Sequence, residues 1–284
     1  MKKIFYELSQ LSYIYFNNYF FHNQSISYKG VKNVTTLFVK YQGTAQLQTI
    51  KKENFQETQV DFPIKGTVFG TLLNYQEEMN QLKLEFSNAP YNEPPKSPIL
   101  YIKPSNTFNA HQQIIPLLDG VNEVQTNASL AIVMKKDAYK ISKEQYEEYI
   151  LGFTIANDIT IPHENYYRPA ISQKSHDGFC PIGPYIVSVD AIKNPNNLTI
   201  STYVNGELKR RISTSDLVRS IGQLLEDVTD FMTLSAGDVL LTGIPSNPPL
   251  VREGDSVSIT IDEIGTLTNQ IKAINANNVG GETI

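Results

Sequence analysis

Residues 149–184 read YILGFTIANDITIPHENYYRPAISQKSHDGFCPIGP. The apolar run from Ile150 to Ile155 predicts a strand, which leads directly to Asn157 and Asp158. A strand that ends in a carboxylate and leads into a polar loop is a favourable setting for catalysis. The rigid strand holds the carboxylate in place, and the loop presents its polar side chains to a substrate. A surface loop with ordinary ion pairs would show the same sequence pattern. The ionisable side chains that follow are His163, Glu164, Arg168, Lys174, His176 and Asp177.

Composition narrows the class of protein. Among 284 residues, 40% are hydrophobic and 19% charged, which fits a globular chain with a packed core. The net charge of −5 argues against a nucleic-acid partner, because such proteins carry clustered positive charge. The single cysteine, Cys180, excludes an internal disulfide and a Cys-rich zinc site. We see no signal peptide and no run long enough to cross a membrane, so we expect a cytoplasmic protein without membrane contact.

Short strands dominate the pattern, so the predicted class is mainly β with few helices. We divide the chain into a small β-rich region (1–65, its first 30 residues unassigned), a main domain (66–273) and a loose tail (274–284). Asn205-Gly206 between two alternating segments predicts a hairpin with a two-residue turn. Thr214 or Ser215 is expected to cap the best helix. Its predicted core-facing residues are Leu217, Ile221, Leu224, Val228 and Phe231.

Several motifs of this chain occur together and in order in one known family. They are Asn74-Tyr75, Glu93-Pro94-Pro95-Lys96, Lys103-Pro104-Ser105-Asn106-Thr107, 152–158 (GFTIAND), Lys174, 177–184 (DGFCPIGP), Asn205-Gly206-Glu207, Gly237-Asp238 and 242–245 (TGIP). With them, residues 66–273 resemble the fumarylacetoacetate hydrolase family, especially its bifunctional decarboxylase/isomerase members. The resemblance implies a mixed β-roll, usually dimeric, and Mg²⁺- or Mn²⁺-dependent chemistry on small oxo-acids, as in aromatic-acid catabolism.

The metal site that this resemblance implies is incomplete here. Asp158 matches the family's metal-binding aspartate, whereas the positions of its Glu-x-Glu pair read Asn127 and Ser129. An amide and a hydroxyl are neutral oxygen ligands, and Mg²⁺ is usually held by carboxylates together with substrate oxygens. We therefore predict weak or absent binding of Mg²⁺ or Mn²⁺ at Asp158, Asn127 and Ser129.

Other positions are assigned by the resemblance or by side-chain chemistry. Lys174 matches the family's active-site lysine, although it could instead pair with Asp177. Glu78 falls in a lid where relatives carry a His and a Glu, so it is a candidate general base or a solvated helix charge. His163 is a candidate for proton transfer. The candidate substrate-binding residues are Arg168, Asp177, Thr242 and Gly243.

Three functions remain open from the sequence. The chain is predicted to be a decarboxylase or isomerase (lyase/isomerase, or a C–C hydrolase) for an unsaturated oxo-di- or tricarboxylate. Alternatively, it is a supporting subunit beside a metal-competent paralogue, or a small-acid binding module. The expected assembly is a homodimer or a heteromer with that paralogue.

Overall fold

The computed structural model describes residues 35–86, 93–163 and 170–273. Predictions for the first 30 residues, for Glu164 and Arg168, and for the tail lie outside the described residues. Within these ranges the molecule is mainly β with few helices, as the sequence predicted. Parallel strand pairs occur beside the more numerous antiparallel ones, so the sheets are mixed.

The larger sheet contains ten strands of the described residues. Its main order is β2 (Gln48–Lys51), β1 (Thr36–Tyr41), β11 (Cys180–Ser188), β10 (Ile150–Asn157), β9 (Ala128–Met134), β14 (Val239–Leu241), β4 (Val68–Leu72) and β5 (Ile99–Lys103). Two short strands join it: β3 (Val60–Asp61) pairs with β1, and β6 (Phe108–Asn109) pairs with β11. Residues 36–61, assigned from sequence to a separate leading region, thus supply strands to the sheet that carries the main domain.

The remaining strands form a second sheet and a short pair. The second sheet runs β13 (Glu207–Ser213), β12 (Thr199–Val204), β16 (Ser256–Ile261), β17 (Gly265–Ala273) and β7 (Ile114–Leu117). The pair is β15 (Leu250–Val251) with β8 (Val124–Gln125). The helices are α1 (Gln76–Gln81), α2 (Lys83–Phe86), α3 (Ile171–Lys174) and α4 (Ile221–Phe231).

Sequence pattern follows burial in these sheets. Every residue of β9 is buried, because core clusters cover both faces of the larger sheet, and apart from Ser129 the strand accordingly consists of apolar residues. Strand β16 has one buried face and alternates. The predicted hairpin is confirmed: Asn205 and Gly206 have φ of 52° and 79°, the left-handed values that a type I′ turn requires.

Helix α4 begins later than the sequence predicted. Ser220 is its N-cap, whereas Thr214 and Ser215 belong to a 3₁₀ turn, so the predicted cap was wrong. The reason is tertiary: Leu217 bridges to Tyr75, and Val218 N–H donates to the Asn74 carbonyl at 2.8 Å, so this backbone pairs outside any helix.

The predicted apolar face of α4 is only partly correct. Ile221, Leu224 and Val228 are buried, but Phe231, its last residue, is 57% exposed. Leu217 is buried without belonging to the helix.

Candidate active site

The site is built around the Asp158 carboxylate at the end of β10. Its side chain is fully buried, and three polar groups surround it. Lys174 Nζ donates to Oδ2 at 2.7 Å. Lys103 Nζ forms an ion pair with Oδ1 at 2.9 Å, but the geometry of this contact is not that of a hydrogen bond. The Tyr101 hydroxyl donates to Oδ2 at 2.5 Å. A buried carboxylate is tolerated only with such compensation.

Each partner of Asp158 arrives from a different element. Tyr101 and Lys103 lie two residues apart on β5, which places them on one face of the strand. Lys174 ends the short helix α3 and also donates to Thr160 Oγ1 at 2.7 Å. The link between the predicted residues Lys174 and Asp158 is therefore direct; the alternative pairing of Lys174 with Asp177 was wrong.

Gly70 makes room for the Tyr101 ring. The two residues are partners across β4 and β5, and a Cβ at Gly70 would lie 2.0 Å from Tyr101 Cζ. Any side chain at this position would displace the ring. Because Gly70 has no side chain, the Tyr101 ring can lie over it and bring its hydroxyl to Asp158. The ring also faces Lys174, whose Nζ lies 4.9 Å from its centroid.

Electrostatics keep the Asp158 carboxylate ionised. Burial by itself raises the pKa of Asp158, but the positive charges of Lys103 and Lys174 outweigh it and hold this pKa well below its usual range. Burial, and then the Asp158 charge, raise the pKa of Tyr101 well above its ordinary value, so its hydroxyl stays protonated. Burial lowers the pKa of Lys174, against the opposing effect of Asp158.

Glu78, on α1, is the second carboxyl group of the site. Burial raises its pKa from 4.5 to about 7, although the hydrogen bond from Leu73 N–H (3.0 Å) and the charge of Lys174 both lower it. The side chain is half-buried rather than solvated, so the interpretation as a free helix charge was wrong. A carboxyl group with a pKa near neutrality is suited to both accepting and donating a proton.

The residues at the predicted metal site do not fit a divalent cation. Asn127 Nδ2 donates to the Asp158 backbone carbonyl at 2.8 Å, and Ser129 Oγ donates to the Gly243 carbonyl at 2.8 Å. Both side chains thus use hydrogen-bond donors to hold backbone. Within the described ranges no group of three or more His, Cys, Asp or Glu side chains is placed to hold a metal ion.

Charge balance leads to the same conclusion. At an effective dielectric constant of about 20, two unit charges about 4 Å apart interact by about 4 kcal/mol. A divalent ion at the Asp158 carboxylate would be repelled by two ammonium groups, each by roughly twice that amount, and attracted by one carboxylate. Glu123 does not supply a replacement acid, because it pairs with Arg252 at 2.9 Å.

The predicted substrate-binding residues have different surroundings. The Thr242 carbonyl accepts from Asn74 Nδ2 at 2.7 Å, and the Gly243 carbonyl accepts from Ser129, so this turn braces the site through its backbone. The Thr242 hydroxyl is buried without a hydrogen-bond partner among the described residues. Asp177 is exposed and accepts from Asn106 Nδ2 at 2.7 Å, so it secures a loop and is not among the groups around Asp158.

Two further predicted residues adjoin or lie within the undescribed segment 164–169. His163 is half-buried at its edge, and its role stays a prediction. Arg168 lies inside that segment.

Two residues of the site were not assigned a role from sequence. The sequence identified Lys103 only as part of the motif 103–107, and it did not single out Tyr101. The available signal was the alternation of β5, which puts an aromatic hydroxyl and an ammonium on one face immediately before Pro104. Lysines on edge strands are commonly exposed, so the buried position of Lys103 beside Asp158 was not predictable from its place on β5.

Comparison with known proteins identifies the family. Residues 67–272 match the family described as fumarylacetoacetate (FAA) hydrolase C-terminal, and the chain belongs to this family. The 4-hydroxyphenylacetate degradation bifunctional isomerase/decarboxylase of Salmonella dublin is 41% identical over 72% of this chain and 47% of its own length. The chain therefore spans about half the length of that relative. An oxaloacetate tautomerase of Bacillus subtilis (strain 168) is 38% identical over 62% of each chain.

Solved structures support the same fold. The 5-carboxymethyl-2-hydroxymuconate delta-isomerase of Mycobacterium smegmatis superposes with a TM-score of 0.66 at 30% identity, covering 80% of this chain and 84% of that one. A maleylpyruvate hydrolase of Sphingobium sp. SYK-6, determined with manganese(II) and pyruvate, has a TM-score of 0.64 at 24% identity, covering 81% and 78%. The latter is a likeness of fold alone. None of the helices in the described part of this chain is long and apolar enough to span a membrane.

Proposed function

We propose that this chain is an enzyme that moves a proton on a small oxo-acid, isomerising or decarboxylating an unsaturated oxo-di- or tricarboxylate. The relatives by name act as isomerases, decarboxylases and a tautomerase, which supports this general chemistry. The observation that carries the proposal is the position of Glu78: burial raises the pKa of this carboxyl group to about 7, and it lies near enough to the buried Lys174 ammonium for that charge to lower its pKa.

The proposed reaction needs a base and a stabiliser of negative charge. Glu78 takes a proton from the carbon next to the keto group, and the C–H electron pair moves to form an enolate. The positive charge of the nearby Lys174 ammonium stabilises the enolate as its negative charge develops. Return of the proton to oxygen or to another carbon gives the isomer, and no oxidant or reductant is needed. In decarboxylation the C–CO₂ bond supplies the electron pair instead.

Exchange of hydrogen tests this proposal directly. The purified chain is mixed with oxaloacetate in D₂O, and loss of the methylene signal is followed by ¹H NMR against the uncatalysed rate. Glu78→Gln should slow the catalysed exchange by roughly 10²–10⁴-fold, the usual contribution of a general base. Glu144→Gln, a change at an exposed position, is the matched control and should leave the rate unchanged. Equal rates for the Glu78→Gln and parent proteins would refute the role of Glu78.

A second candidate is a supporting subunit. The replacement of both family acids by Asn127 and Ser129 favours it, because a metal-competent paralogue could then do the chemistry. This hypothesis predicts no exchange by the chain alone and faster turnover by the paralogue when the two are mixed. A homodimer or heteromer is part of both proposals, and sedimentation equilibrium measures it.

A further inference from the structure

We infer that Lys103 acts as a built-in cation for Asp158, and that the site binds the carboxylate of an oxo-acid through Lys174 without a divalent metal. The inference rests on the proposed function for the class of ligand. It assigns a positioning role to Lys103 and a binding role to Lys174.

Lys103 is enclosed by protein on all sides. Its side chain is fully buried, and its ammonium contacts Asp158 Oδ1 (2.9 Å), the Lys174 carbonyl (2.5 Å) and the Ile159 carbonyl (3.4 Å). Because the side chain is fully buried among these groups, the Lys103 ammonium is not open to a ligand. Lys103 therefore compensates the charge of Asp158 and ties it to the backbone of α3. This is the work that a bound cation would do at the same carboxylate.

Lys174 differs in having a donor to spare. Its ammonium donates to Asp158 Oδ2 and to Thr160 Oγ1, both at 2.7 Å, and the third N–H has no acceptor among the described residues. Its side chain is 10% exposed, whereas those of Lys103 and Asp158 are 0% exposed. Of the three charged side chains in this cluster, Lys174 is therefore the one that reaches solvent.

The sign of the missing charge identifies the ligand class. Two buried ammonium groups face a single buried carboxylate, and uncompensated positive charge in a protein interior is costly. The nearby Glu78 carboxyl group accepts from Leu73 N–H and forms no ion pair with either lysine in the described part of the chain. A carboxylate placed against the Lys174 ammonium would therefore balance the second positive charge.

A carboxylate meets this need better than a metal ion. Both oxygens of Asp158 already contact ammonium groups, and the donors of Asn127 and Ser129 hold backbone carbonyls. A cation would have to displace the lysines, whereas an oxo-acid carboxylate can accept the free N–H of Lys174 without disturbing any of these contacts.

Calorimetry tests the inference with oxalate as the probe, a planar dicarboxylate that mimics an oxo-acid. The full chain is titrated in EDTA and again in Mn²⁺. We expect binding in EDTA, changed by less than about threefold in Mn²⁺. Lys174→Met should weaken oxalate binding at least about tenfold. Lys209→Met, which removes an exposed ammonium on β13, is the matched control and should bind like the parent.

Lys103→Met provides a separate measurement. Removing this ammonium frees Asp158 Oδ1, so direct titration should show Mn²⁺ affinity at least about tenfold above that of the parent. Circular dichroism checks that the variant is folded. If the variant does not fold, the inference is tested by comparing oxalate binding of the parent protein in EDTA and in Mn²⁺. Oxalate binding that requires Mn²⁺, or tight Mn²⁺ binding by the parent, would overturn the inference.

The two proposals fail in different ways. Metal-free oxalate binding without any hydrogen exchange would leave the Lys103 and Lys174 assignment intact and refute the enzymatic proposal. Hydrogen exchange that appears only with Mn²⁺ would support the enzymatic proposal and refute the metal-free assignment of Lys103 and Lys174. Absence of both oxalate binding and exchange would refute both.

Discussion

Replacing Glu78 by Gln should change how stability depends on pH. In the folded chain, burial favours the protonated carboxyl group, with a pKa of about 7 against an ordinary value of 4.5. The unfolded chain therefore releases this proton at lower pH than the folded chain does. It follows that the parent protein loses stability as pH rises from about 4.5 to about 7, and that this loss is complete above the folded pKa. The amide of the Glu78→Gln variant cannot ionise, so the variant escapes the loss.

The magnitude follows from the shift. The difference between 4.5 and about 7, at about 1.36 kcal/mol per pKa unit, sets a ceiling of about 3 kcal/mol. The side chain is half-buried, so solvent screens part of this effect, and we expect about 1–2 kcal/mol. The amide retains an oxygen that can accept from Leu73 N–H, so the hydrogen bond of the parent is kept.

Urea unfolding followed by far-UV circular dichroism measures the effect, since the chain has no Trp for fluorescence. The free energy of unfolding of the variant minus that of the parent should rise by about 1–2 kcal/mol between pH ~4.5 and ~7. Glu144→Gln controls for the loss of an exposed carboxylate. A difference for Glu78→Gln that does not change across this range would show that burial of Glu78 does not perturb its ionisation.

Three further changes probe the cluster. Asp158→Asn leaves two buried ammonium groups without their counter-ion and should destabilise the protein by about 3–5 kcal/mol in urea unfolding; a loss below ~1 kcal/mol would contradict the ion-pair network. Gly70→Ala forces the Tyr101 ring away and should cost about 1–3 kcal/mol, which an unchanged unfolding midpoint would disprove. The double change Asn127→Glu with Ser129→Glu should raise Mn²⁺ affinity in calorimetry; if affinity stays at the parent level, the alignment of β9 with the family is wrong.

Strand positions were readable from sequence because they depend on local chemistry. The apolar run of β9, the alternation of β16 and the Asn205-Gly206 turn all follow from side-chain period and backbone preference. The motif order also identified the family, and it drew attention to Asp158 and Lys174, whose side chains contact each other in the structure.

The partners of those two residues depended on long-range packing. Lys103 contacts Asp158 although β9, β14 and β4 lie between β5 and β10 in the strand order, and no local pattern marks a lysine as buried. The start of α4 was missed for the same reason, since Leu217 and Val218 pair with a distant segment. Residue chemistry thus revealed that two acids of the family pattern are missing, whereas the chain's path through space placed two ammonium groups around the acid that remains.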